Sequence, residues 1–220
     1  AMAMAAALET RLAYVRTGDQ EVDEMSEAGL LGLTRVMAAR TSIEAGFPLA
    51  VNPETDELSF FPLLYWPMTS TQPDLSQAAL AKLNTYMRLG GTILFDTRDQ
   101  PSGGFGVGGT GAGTLTLRRI LGRLDIPPLV PVPEDHILTK AFYLMDTFPG
   151  RWTGGQVWVE QNAGVANDGV SSIVIGAHDW ASAWALGDDG WPLAAVVPGG
   201  ELQREYAFRF GINMMMYMMT

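Results

Sequence analysis

Over residues 12–124 the chain alternates short apolar runs with amphipathic helical stripes, and this alternation limits the fold more than any other feature. A strand buried on both faces reads as a continuous apolar run, and successive parallel strands need a helix-length crossover between them. LAYVRTGD (12–19) is such a run, ending in a turn. EMSEAGLLGLTRVMAART follows, with Met25, Leu30, Leu33, Val36 and Met37 on one helical stripe. PLAV supplies a short strand before the polar turn NPETDE, and FFPLLYWPM (60–68) reads as a buried strand with prolines near its ends. DLSQAALAKLNTYMRLGG is the clearest helix, with Ser76 placed to cap its start and Gly90 to cap its end. TILFDTRD is the next strand, and a further helix is expected over 114–124. This order predicts an α/β, three-layer sandwich with a mostly parallel central sheet.

The remaining residues add QVWVEQ and SSIVIGAHDW as strands and a closing helix from about Glu201. That helix becomes apolar on all sides after Phe208, which favours burial in this chain over an interface. No internal repeat and no linker-length segment divides residues 12–220, so they read as one domain. Residues 1–11 read as a linker, a cleavage-site remnant or a cloning scar, and together with the abrupt NMMMYMMT end they suggest a piece of a longer protein.

Composition removes several function classes. With 24 acidic against 14 basic residues the formal charge is −10, which repels a phosphate backbone and argues against nucleic acid as a partner. The chain has no cysteine, so disulfides, thiolate zinc sites and cysteine nucleophiles are absent. Its two histidines, His136 and His178, are too few for a multi-histidine metal site. No apolar run is long enough to span a membrane.

The glycine-rich loop DQPSGGFGVGGTGAG contains G-x-G-x-x-G at Gly106, Gly108 and Gly111. That pattern binds a pyrophosphate only when its first glycine directly follows a strand and the helix N-terminus points at the phosphates. Here residues 98–105 intervene, and no P-loop lysine follows. The loop therefore reads as slack surface chain, and no cofactor is expected.

In an open parallel sheet, ligands sit beyond the carboxyl ends of the strands. Those ends carry Arg16, Thr17, Gly18 and Asp19; Tyr65, Trp66 and Met68; Asp96, Arg98 and Asp99; and His178, Asp179 and Trp180. Asp96, Asp99 and His178 offer acid/base pairs, and the carboxylates offer a cation site. Trp66, Trp180 and Trp184 offer stacking faces for a sugar or another flat ligand. Each has a plain structural alternative: the aspartates cap turns or pair with Arg98, and the tryptophans fill the core. His136, in PEDHILT, reads as a hydrogen-bonded residue fixing a turn, with only Glu134 and Asp135 nearby to support a role as a base.

Taken together, LAYVRTGD, FFPLLYWPM, LSQAALAKLNTYMRLGGTILFDTRD and DHILTKAFY resemble the bacterial domain-of-unknown-function family 4159. The resemblance implies a class I glutamine amidotransferase-like fold of flavodoxin-like topology, related to the trehalose-utilisation protein ThuA. It also implies that the domain is one part of a longer membrane-anchored protein, with the other domains as its partners and the periplasmic side slightly favoured. Amidotransferases of this fold use a cysteine nucleophile on a turn after a strand. This chain has none, and Thr97, near the equivalent position, lacks an evident base. The expectation is a domain without glutaminase chemistry that acts as a ligand-binding or interaction module. The alternatives are a hydrolase or isomerase on a carbohydrate-like molecule using Asp96, Asp99 and His178, and a cation-stabilised domain.

Overall fold

In β3 and β4, side chains alternate between two separate cores, one on each face of a single sheet. The computed structural model describes residues 10–106, 108–161 and 170–219. Residues 1–9, most of the segment read as linker or remnant, lie outside them, as does Val107 of the glycine loop. In chain order the elements are β1 (Ala13–Val15), α1 (Gln20–Arg40), β2 (Leu49–Val51), β3 (Leu63–Pro67), α2 (Gln77–Arg88) and β4 (Thr92–Asp96). They continue with α3 (Ala112–Leu121), β5 (Leu129–Pro131), β6 (Trp158–Glu160), β7 (Ile173–Gly176), α4 (Trp180–Trp184) and α5 (Gly200–Met218). The sheet order is β2-β1-β3-β4-β7-β6-β5, parallel from β2 through β7, with β6 antiparallel to both neighbours. The α/β, mostly parallel reading therefore holds, with one reversed strand near an edge.

Leu63 and Tyr65 of β3 face one core with Leu94 of β4, packed under α1, α4 and α5 through Leu30, Leu33, Trp184 and Phe210. Leu64, Trp66, Ile93 and Phe95 face the other, under α2 and α3 through Leu83, Tyr86, Leu117 and Ile120. Helices cover both faces, which is why the strands read as unbroken apolar runs. The α2 ends match the sequence signals. The Ser76 hydroxyl accepts from the Ala79 amide at 3.1 Å, and Gly90 takes φ 95° just past the last turn.

Two elements differ from the sequence expectation. The proline-rich segment after α3 contributes β5, which fits because it sits at the sheet edge, where a missing N–H is tolerated. Residues 180–184 form the short helix α4, whose two tryptophans are buried core rather than an exposed platform. Trp180 stacks on Phe210 at 4.6 Å between centroids and on the His178 ring at 4.9 Å.

The closing helix is buried, and polar side chains on it organise the loops. Asn213, fully buried, accepts from the Phe142 and Tyr143 amides and donates to the Leu138 and Tyr143 carbonyls. Arg204 donates to the carbonyls of Ala183 and Ala194, both at 2.7 Å. Among the described residues, no helix is long and apolar enough to cross a membrane.

Helix α1 crosses α4 at closest approach through two glycines. A Cβ on Gly29 would collide with the Ala181 carbonyl, and one on Gly32 with the Trp184 carbonyl. Alanine within a helix normally gains up to about 1 kcal/mol over glycine. At Gly32 the collision is with backbone that cannot rotate away, so overpacking of about 1–3 kcal/mol wins. Gly32→Ala should lower the urea midpoint; a raised midpoint would contradict this packing.

Candidate functional site

At the carboxyl ends of β4 and β7 two tight turns meet, and one buried carboxylate holds both. Asp96, the last residue of β4, has no exposed surface. Its Oδ1 accepts from the backbone amides of Arg98 (3.0 Å) and Asp179 (3.1 Å). Its Oδ2 accepts from the Trp180 amide (2.8 Å) and the Tyr65 hydroxyl (2.9 Å). Arg98 and Asp179 are the two non-glycine residues with left-handed backbone among the described residues, at φ 60° and 54°. Such residues are strained and persist where the surroundings fix them, commonly at functional sites. Here the Asp96 carboxylate fixes both.

The side chains of the two strained residues then pair. Arg98 Nε lies 3.4 Å from Asp179 Oδ1, and Arg151 Nη1 lies 3.5 Å from Asp179 Oδ2. Asp179 is almost wholly buried, whereas the two guanidinium groups are partly exposed. The Arg151 guanidinium also lies over the Trp152 ring, 5.0 Å from its centroid. Burial works against the Arg98 charge, but the carboxylates of Asp179 and Asp96 and the Tyr65 hydroxyl hold its pKa above the ordinary value. Burial pushes the Asp96 carboxyl up to about 7 and the Asp179 charge adds to the rise, while the donated bonds pull the other way.

Most of the other candidate residues are held in structural roles. Asp99 accepts from the Thr97 hydroxyl at 2.5 Å and from the Thr114 amide at 2.8 Å, so it caps the N-terminus of α3. This is the position a phosphate would need, and a carboxylate fills it. The glycine loop is nevertheless more than slack. A Cβ on Gly111 would collide with the Asp99 carboxylate and one on Gly113 with the Thr97 carbonyl, so glycine is required for the helix end to approach. The Arg118 guanidinium ties the loop back through the Gly106 and Gly109 carbonyls.

Asp19 caps α1 through the amides of Glu21 and Val22, and Arg16 is exposed, with its amide bonded to Val51. Among the described residues, neither makes a hydrogen bond or ion pair with the β4–β7 cluster. Trp66, 1% exposed, stacks on Phe95 on the opposite face of the sheet and offers no ring surface to a ligand. Trp180 is closed off in the same way, its indole N–H donating to the Phe148 carbonyl. His136 Nδ1 accepts from the Leu138 amide at 3.2 Å and fixes the turn, as its sequence context suggested. Among the described residues, no three His, Cys, Asp or Glu side chains are grouped to hold a metal ion.

His178 joins this edge to a cavity. Its Nδ1 accepts from the Ala177 amide at 3.3 Å, which leaves Nε2–H to donate to the Gly154 carbonyl at 2.6 Å. Burial lowers its pKa to about 4, so the ring is neutral at ordinary pH. Beyond it lies a cavity of about 540 Å³, walled by Val132, Phe148, Gly155, Leu202, Gln203 and Tyr206 among others.

A family profile described as Domain of unknown function (DUF4159) matches residues 11–219. The chain belongs to that family. No curated protein matches it. In this DUF4159 domain, the sequence signals marked the ends of β4 and β7 but missed Arg151 and the cavity. Both depend on residues 146–157, whose only local signals are the PG and GG pairs that punctuate turns.

The two buried groups give opposite pH slopes. A carboxyl raised from near 3.8 to about 7 contributes stability at low pH that is lost as pH rises through 7. An imidazole lowered from near 6.5 to about 4 contributes stability above pH 6.5 that is lost as pH falls through 4. His178→Gln keeps a donor for Gly154 but removes the second slope. The stability difference between wild type and variant should therefore grow as pH rises from 4 to 6.5, by up to about 3 kcal/mol. Parallel stability curves from urea unfolding across that range would contradict a buried neutral imidazole.

Proposed function

We propose that this DUF4159 domain is a non-catalytic, ligand-binding or interaction module built on a three-layer, class I glutamine amidotransferase-like sandwich related to ThuA. The observation that carries the reading is the engagement of every acid/base candidate at the strand edge. Asp96 accepts four hydrogen bonds, Asp99 caps a helix, and His178 holds a backbone carbonyl. A general base must reach a substrate proton and have a lone pair to receive it. The Thr97 hydroxyl does lie against a carboxylate, but Thr97 is 2% exposed and Asp99 is already bonded to Thr114. The same engagement weighs against a carbohydrate hydrolase or isomerase using Asp96, Asp99 and His178. The parallel run β2-β1-β3-β4-β7 agrees with the flavodoxin-like order.

By the family resemblance, the partners of this module are the other domains of a longer membrane-anchored protein, with the periplasmic side favoured. The chain is expected to give no turnover of glutamine, p-nitrophenyl esters or p-nitrophenyl glycosides above the buffer rate. Turnover abolished by Asp99→Asn or by His178→Gln would overturn the reading.

A further inference from the structure

We propose that the cavity between β5, residues 146–157 and the start of α5 binds a small organic molecule with a flat apolar body and a single positive charge. The proposal rests on the binding-module reading and gives it a ligand class. At about 540 Å³ the space lies within the range of small-molecule sites.

Its walls are tied in place by buried side chains. The Gln203 amide donates to the carbonyls of Gly150 (2.8 Å), Arg151 (3.0 Å) and Val197 (3.1 Å), and its carbonyl accepts from the Gly199 amide (2.9 Å). His178 holds Gly154, Trp180 holds Phe148, and the Val132 amide donates to the Val157 carbonyl at 2.8 Å. Each wall segment is thus anchored to the core or to α5, so the cavity exists before a ligand arrives and little ordering is needed on binding.

The lining defines the ligand. Val132, Phe148, Val157 and Pro149 give an apolar slot, which suits a flat body. Around it the side chains of Asp146, Thr153 and Gln156 and the hydroxyl of Tyr206 have no hydrogen-bond partner among the described residues, so they are available to a ligand. Asp146 is the one lining residue with a formal charge, and in the adjoining pocket that it shares with Tyr206 the opposite charges of Lys140 and Glu134 offset each other. The neutral His178 adds no positive charge. The whole-chain charge of −10 acts in the same direction, disfavouring anions.

Three probes of one shape and different charge test this: tyramine (cation), p-cresol (neutral) and 4-hydroxyphenylacetate (anion). Each is titrated into ¹⁵N-labelled protein in about 0.15 M salt, which screens charges more than about 8 Å away. Tyramine should shift the amides of Gly154, Gly155, Gln156 and Leu202 saturably, and bind about fivefold or more tighter than 4-hydroxyphenylacetate. Asp146→Asn, at an exposed position without described bonds, should leave folding unchanged and remove that preference. The proposal is overturned if no probe shifts these amides, if the anion binds as tightly as the cation, or if Asp146→Asn keeps the preference. Those outcomes leave the non-catalytic reading standing, since only turnover overturns that.

Discussion

The Asp96 carboxyl group is the constraint on which the carboxyl ends of β4 and β7 depend. It ends β4 inside the protein with no access to water and accepts four hydrogen bonds, three from backbone amides. Two of those amides belong to residues in the left-handed region, where a side chain costs about 1 kcal/mol or more. A hydrogen bond contributes about 0.5–1.5 kcal/mol and a buried amide left unpaired costs about 1–3 kcal/mol, enough together to hold both turns. Once they are held, Arg98 and Asp179 face each other, and Arg151 joins them from a distant loop. Without the Asp96 carboxyl group, three amides, two of them buried, lose their partner together, and the turns have no reason to keep their shape.

Residues that resemble a catalytic set in sequence are each engaged by the backbone in space. The aspartates leave their strands where a catalytic acid would, yet each accepts hydrogen bonds from backbone amides. Asp19 and Asp99 each satisfy the N-terminus of a helix, and Asp96 satisfies two turns. A carboxyl group that accepts from several amides has a structural role. Polar side chains without partners among the described residues line the cavity by His178, walled by loops that α5 positions.

The strand and helix alternation was legible because it is local. Apolar runs of five residues, a serine before a helix and a glycine after it each specify their own few residues, and β3, β4 and α2 matched. What escaped notice is set by long-range contact. Gln203 and Asn213 lie on a helix that reads simply as buried, yet each ties down loops 50–75 residues earlier in the chain. The β5 strand hides among prolines that its edge position tolerates. The need for glycine at Gly111 and Gly113 comes from Asp99 and Thr97, at the other end of a loop whose composition suggested only slack.

Native-state hydrogen exchange at three amides reports directly on the Asp96 anchor. The backbone N–H groups of Arg98, Asp179 and Trp180 are all donated to Asp96. All three should exchange only through global unfolding, with the same free energy and denaturant dependence as the amides of β4. Exchange of Arg98 and Asp179 at the rate of exposed loop amides, while β4 stays protected, would show that the carboxylate does not hold the turns.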